Sequence, residues 1–158
     1  MTDVSIAPAS SPTWFEYPIR VQPHHTDYSG VVWHGSYITW LESARVECLR
    51  AAGIPFEHLV NSGYDLPVVR LDLRYRQPLM LGDSAIVKTR LAPMAGLRLN
   101  WLYEIEMTAA HLASAQLCLA GQITLVTVSV SSRKVLRRLP TEVKEMVEQI
   151  TTYLTPSV

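Results

Sequence analysis

The sequence predicts an α+β fold in which a curved, mainly antiparallel sheet wraps one long helix. Three observations carry that prediction. Tyr37, Leu41, Ala44, Cys48 and Ala52 form an apolar stripe at helical spacing. After residue 68 the pattern changes to strands at hairpin spacing, joined by short turns that favour antiparallel neighbours. A helix with one apolar stripe must bury it, and one face of that sheet is the surface available. With 158 residues, 48% of them hydrophobic, the chain is about one domain long and can bury a sizeable core.

The elements follow in order. Residues 1–13 are rich in Ser, Pro, Ala and Thr and are expected to be a mobile tail, leaving residues 14–155 as a single domain. Phe15, Tyr17, Ile19 and Val21 alternate with Glu16, Pro18, Arg20 and Gln22, which is a strand period. Pro18 has no amide hydrogen, so this strand is expected at a sheet edge or bulged. Ser36 is expected to cap the long helix, although Thr39 stands where a capping box wants Glu. Glu42 with Arg45, and Glu47 with Arg50, are spaced to pair on its surface for about 0.2–0.5 kcal/mol each. Gly53 supplies a C-terminal cap and Pro55 stops the helix resuming; residues 55–61 add a turn or two before Gly63.

Val69, Leu71, Leu73 and Tyr75 then alternate with Arg70, Asp72, Arg74 and Arg76. Residues 78–83 form a turn, Val87, Thr89 and Leu91 alternate with Ile86, Lys88 and Arg90, and residues 93–96 form a second turn. Leu97, Leu99, Trp101, Tyr103, Ile105 and Met107 make the longest alternating face. Residues 115–130 are nearly all apolar or small, the pattern of a strand covered on both faces. Val143, Met146, Val147, Ile150 and Leu154 return to helical spacing after Pro140 and predict a closing helix.

Composition bounds the function. Fourteen basic side chains balance fourteen acidic ones, so no electrostatic footprint points to nucleic acid. No apolar run approaches the roughly 18 residues of a membrane span, and the first residues lack the basic and apolar regions of a signal peptide. The cytoplasm is the expected compartment, without a membrane partner. A slight apolar surplus fits a homo-oligomer that hides surface. Cys48 and Cys118 lie in apolar periodic segments without CxxC spacing and read as buried thiols.

Chemistry is expected in residues 24–37, which hold a lone carboxylate, two glycines, three histidines and the start of the long helix. A helix N-terminus presents unpaired amides and partial positive charge. Amides aimed at a carbonyl oxygen stabilise the oxyanion of acyl transfer, often by about 2.7–4 kcal/mol per donor. Asp27, just upstream, could attack that carbonyl or deprotonate a water, a combination suited to thioesters because a thiolate leaves with little acid help. The plainer reading of Asp27 is a turn former, and of His34 a structural hydrogen-bonding residue. No metal is expected: His24 and His25 are adjacent and would point to opposite faces of a strand, a poor start to a site with His34 and Asp27. Ser29 lacks a GxSxG elbow for a serine hydrolase. Trp33, Tyr37 and Trp40 could line an acyl pocket or simply belong to the core.

Residues 26–37 strongly resemble the signature of hotdog-fold acyl-CoA thioesterases, roughly D-x-x-G-[VI]-V-[WY]-[HY]-x-x-Y, in the branch containing 4-hydroxybenzoyl-CoA thioesterase. Asp27, Gly30, Val31, Val32, Trp33, His34 and Tyr37 fill its places, followed by Glu42 and Arg45 on the helix. Tyr75, Pro78, Leu79, Gly82 and Asp83 resemble the family's Y-x-x-P-hydrophobic-x-x-G-D turn. Residues shortly before Asp27 depart from the pattern, with Pro23, His24 and His25 where many relatives carry an aromatic residue and an acid.

The resemblance covers about residues 14–140. It implies a hotdog fold, a homodimer commonly paired into a homotetramer, active sites at the dimer interface and no cofactor. It implies Asp27 as nucleophile or general base, the His34 amide on the thioester carbonyl with its side chain assisting, and Gly30, Trp33, Gly35 and Tyr37 around the substrate. The expected reaction is hydrolysis of an aromatic or short to medium acyl-CoA to acid and CoA. The alternatives are an acyl-carrier-protein thioesterase and a non-catalytic acyl-binding module. Arg74, Arg76, Lys88, Arg90, Arg133 and Lys134 are candidates for the CoA phosphates, among which the sequence does not choose.

Overall fold

Alternating faces build the main sheet. In the computed structural model, which describes residues 13–157, β1 (Phe15–Arg20), β3 (Val68–Tyr75), β4 (Ser84–Leu91), β5 (Leu99–Thr108) and β6 (Gln116–Leu125) form five strands. Their order is β1-β4-β5-β6-β3, and each adjacent pair is antiparallel. Val87, Thr89 and Leu91 of β4 and Leu99, Trp101, Tyr103 and Ile105 of β5 point into the core; the intervening residues are only partly covered. Pro18 sits on β1 at one edge of the sheet, where its missing amide hydrogen breaks no central ladder. The other edge, β3, leaves Val68, Val69, Leu71 and Tyr75 between 44% and 50% exposed.

The long helix, α1 (His34–Ala51), lays Tyr37, Trp40, Leu41, Ala44, Cys48 and Leu49 into the concave side of the sheet. It ends as expected: the Gly53 amide donates to Arg50 O at 3.0 Å and the Ile54 amide to Leu49 O at 2.9 Å, the paired bonds of a Schellman cap. A short helix, α2 (Phe56–Asn61), follows, and the closing helix, α3 (Thr141–Leu154), buries Val143, Met146, Ile150 and Leu154. Burial pushes the Cys48 thiol up to about 12 and raises that of Cys118; both are free. Among the described residues no helix is long and apolar enough to cross a membrane.

Four expectations need correction. The helix begins two residues before Ser36, with Trp33 as its N-cap and no capping side chain. Ser36 lies inside the first turn and donates its hydroxyl backwards to the His25 carbonyl at 2.8 Å. Glu47 pairs with Arg50 at 3.6 Å, but Arg45 turns inward to Tyr103 Oη at 3.0 Å, because a buried phenol is the nearer need. The run 115–130 is two strands rather than one. β6 ends at Leu125, and β7 (Val128–Ser129) leaves the main sheet to pair with β2 (Tyr64–Asp65). The alternating face of β5 starts at Leu99, since residues 95–98 are still closing the turn through the Ala95–Arg98 bridge. The expected tail lies outside the described residues except for Thr13, whose amide and hydroxyl both donate to Leu154 O.

Candidate active site

The segment before α1 closes on itself. Pro23–His25 form a turn of 3-10 helix, Thr26 bridges Val32, and the Asp27 amide donates to Val31 O at 2.8 Å. Gly30 donates to the Asp27 carbonyl at 3.1 Å and reaches φ 77°, a left-handed conformation that only glycine adopts without strain. Asp27 Oδ1 accepts the amides of Ser29 at 2.9 Å and Val31 at 3.1 Å. Asp27 is therefore a turn former on one oxygen. Neither of these bonds falls on Oδ2, and the side chain is exposed. One carboxylate thus holds its own loop and still presents a free oxygen.

That loop is lashed to its neighbours. The His25 carbonyl accepts both the Trp33 amide at 3.0 Å and the Ser36 hydroxyl at 2.8 Å. On the other side Val32 N–H donates to Leu79 O and Leu81 N–H to Gly30 O, each at 2.9 Å, which ties the loop to the turn between β3 and β4. The Asp27 loop, the uncapped start of α1 and the 78–83 turn are therefore joined by hydrogen bonds. Uncapped first-turn amides make this helix end a ready hydrogen-bond donor site for a polarised oxygen.

A cleft of about 240 Å³ opens beside the helix start, lined by Val32, His34, Tyr37, Tyr75, Arg76 and Pro78. Tyr75 Oη donates to the His34 carbonyl at 3.3 Å, and Tyr37 Oη accepts the Leu79 amide at 3.1 Å. The two rings meet edge to face, centroids 5.3 Å apart. Burial raises the pKa of both phenols, opposed at Tyr37 by the Leu79 bond, so both stay protonated at neutral pH. The Trp33 ring folds over Gly35, where a Cβ would overlap it, and remains 55% exposed beside the His34 ring.

Of the histidines, His34 opens α1 and is exposed. His25 accepts the Gln22 amide on Nδ1 at 2.9 Å and packs edge-on against Trp40 at 4.9 Å. Burial, and then the neighbouring His24, lower its pKa. Ser36 and Tyr75 join the candidate site through contacts that local pattern does not show: Ser36 has the local look of a cap, and Tyr75 stands out only in the Y-x-x-P motif, its contact with His34 crossing 41 residues of chain.

Residues 21–150 match the model of the thioesterase-like superfamily. The chain belongs to that superfamily. It is a thioesterase with the hotdog fold. It is 50% identical over 132 residues to the Synechocystis protein sll0410, whose name marks it as an inferred esterase, covering 84% of this chain and 77% of that one. It is 32% identical over 93 residues to the acyl-CoA thioester hydrolase YbgC of Escherichia coli, covering 59% and 69%. In fold it resembles the 1,4-dihydroxy-2-naphthoyl-CoA thioesterase Slr0204 of Synechocystis, with a TM-score of 0.73 at 24% identity over 85% of this thioesterase and 95% of that one.

Proposed function

We propose that the protein hydrolyses an acyl-CoA thioester to the free acid and CoA. The observation that carries this reading is the free Oδ2 of Asp27 in a loop clamped to the uncapped start of α1. The thioester carbonyl docks on the first amides of α1, with the His34 amide as donor. Asp27 then attacks the carbonyl carbon, or takes a proton from a water that does so. The C–S bond breaks, the electron pair leaves on sulfur, and the thiolate takes up a proton to give CoA; where Asp27 itself attacks, a water then adds to the resulting mixed anhydride, releasing the acid and restoring the carboxylate. Gly30 shapes the loop, and Trp33, Gly35 and Tyr37 form the rim and floor. The name of YbgC supports CoA as the carrier.

The cleft beside the helix start, with Val32, Tyr37, Tyr75 and Pro78 in its walls, suits an aromatic or short to medium acyl group. The exposed apolar edge of β3 is the surface on which two protomers pair, since a bare strand edge carrying Val68, Val69, Leu71 and Tyr75 is otherwise a liability. A homodimer formed there, alone or doubled into a tetramer, covers the exposed site from the partner's side.

Thiol release from acetyl- to palmitoyl-CoA and from benzoyl-, hydroxybenzoyl- and hydroxynaphthoyl-CoA tests the reading. Asp27→Asn keeps an Oδ1 acceptor for Ser29 and Val31, so the loop is expected to survive while kcat falls about 10²–10⁴-fold. Near-wild-type rates in that variant would overturn the mechanism.

A further inference from the structure

We infer that the neutral imidazole of His25 is a positioning residue for the hydrolysis, and that a proton on its Nδ1 loosens the Asp27 loop from α1. The inference rests on the acyl-CoA reading. Nδ1 accepts the Gln22 amide at 2.9 Å, while the His25 amide donates to the Gln22 carbonyl at 3.0 Å. These two bonds close the 3-10 turn Pro23–His25 on itself. A ring nitrogen that accepts must offer a lone pair, so the one ring proton sits on Nε2. Protonation puts a hydrogen on Nδ1 facing the Gln22 N–H, and two donors cannot make that bond.

The same residue anchors the helix start through its main chain. Its carbonyl receives the Trp33 amide at 3.0 Å and the Ser36 hydroxyl at 2.8 Å. Thr26, next in the chain, is held by the turn as well: its amide and hydroxyl both donate to the Pro23 carbonyl, at 3.2 and 3.0 Å. Asp27 follows directly. The His25 side chain therefore fixes the turn, and the turn fixes where the carboxylate stands against the first amides of α1. Losing the Gln22 bond opens the turn at its first residue and shifts that spacing.

The surroundings favour the neutral ring. It is half-buried and meets Trp40 of α1 edge-on, centroids 4.9 Å apart. Its titratable neighbours are His24, whose ring is 4.0 Å away on the same turn, and Tyr17 and Arg20 of β1, which line a cleft of about 350 Å³ with it. The helix side of that cleft is Thr39, Trp40 and Ser43, none of them charged. Among the described residues no carboxylate pairs with His25, and Asp27 spends Oδ1 on the amides of Ser29 and Val31. Burial, and then His24, accordingly lower the pKa of the ring. It stays neutral at pH 7 and takes its proton only below about 6.5.

The test measures kcat and KM for an acyl-CoA from about pH 8 to about pH 5 in wild type, His25→Leu and His25→Asn, with circular dichroism confirming the fold at each pH. Wild-type kcat is expected to fall at least about threefold by about pH 5, following the neutral fraction of the ring, with KM within about twofold. His25→Leu has no acceptor for the Gln22 amide and should turn over about tenfold more slowly at every pH. His25→Asn sets Oδ1 where Nδ1 stood and cannot titrate, so it should recover most of that loss and hold its rate into the acid range. An acid limb unchanged in the Asn variant, a Leu variant as fast as wild type at neutral pH, or Leu and Asn variants equally slow would each overturn the inference. Should the Leu variant fail to fold, the pH profile of the Asn variant decides alone. In ¹⁵N-labelled protein the Gln22 and Trp33 amide shifts should follow the His25 titration and stay flat in His25→Asn. If they follow it while no thioester is cleaved, the hydrolase reading fails and the coupling stands; if they do not, the coupling fails whatever the activity.

Discussion

Removing one hydroxyl tests whether the Asp27 loop and α1 work as a unit. Ser36 is 9% exposed, and its Oγ donates to the His25 carbonyl at 2.8 Å. That carbonyl also receives the Trp33 amide, so Ser36→Ala leaves no orphaned acceptor and a void of only one oxygen. The stability cost is therefore that of one ordinary hydrogen bond, about 1 kcal/mol, or roughly 2–4 °C in Tm for a chain of this size. The effect on rate should be larger in proportion. His25 lies two residues before Asp27, and Ser36 two after His34, so the lost bond loosens the carboxylate against the amides proposed to polarise the carbonyl. A misplacement of about 1 Å can cost about 10²-fold, and with the Trp33 bond intact we expect about tenfold in kcat with KM nearly unchanged. Ser36→Thr, which restores the hydroxyl, should recover most of it. Thermal melts measure the first effect, and thiol release at 25 °C measures the second. A Tm loss with unaltered kcat would refute the coupling and leave Ser36 a structural residue alone.

Three further outcomes follow from the same geometry. Gly35→Ala should leave stability within about 1 kcal/mol, because alanine favours the helix and the ring in the way is the far end of a mobile side chain; it should swing Trp33 off the first turn, seen as a fluorescence change absent in a Trp33→Phe background and a raised KM. His25 has a lowered pKa in the fold, so the unfolded chain takes the proton first. Stability is therefore expected to fall as pH drops below about 6.5, and melts of His25→Gln should lose that part of the pH dependence. Leu71→Lys on the exposed edge of β3 should yield a monomer by light scattering with little turnover; a dimer that persists would place the interface elsewhere.

Local pattern was enough for much of this molecule. The stripe from Tyr37 to Ala52 required a helix with one buried face, the alternation in β4 and β5 required strands with one, and Gly53 with Pro55 required the helix to stop where it does. Asp27, Gly30 and the helix start are legible as a candidate site because they are contiguous, so their proximity needs no folding to establish. Tertiary structure decided what depends on partners distant in the chain. Ser36 looked like a cap because capping is the local use of a serine there, but the His25 carbonyl, brought over by the 3-10 turn, outcompeted the helix amides. Arg45 left its surface neighbour Glu42 for a phenol 58 residues away, since a buried hydroxyl gains more from a donor than an exposed carboxylate does. Sheet order made β3 an edge and so exposed its apolar side chains, which alternation alone cannot tell from a central strand. Strand periodicity reports which residues share a face; only the closed fold determines what that face meets.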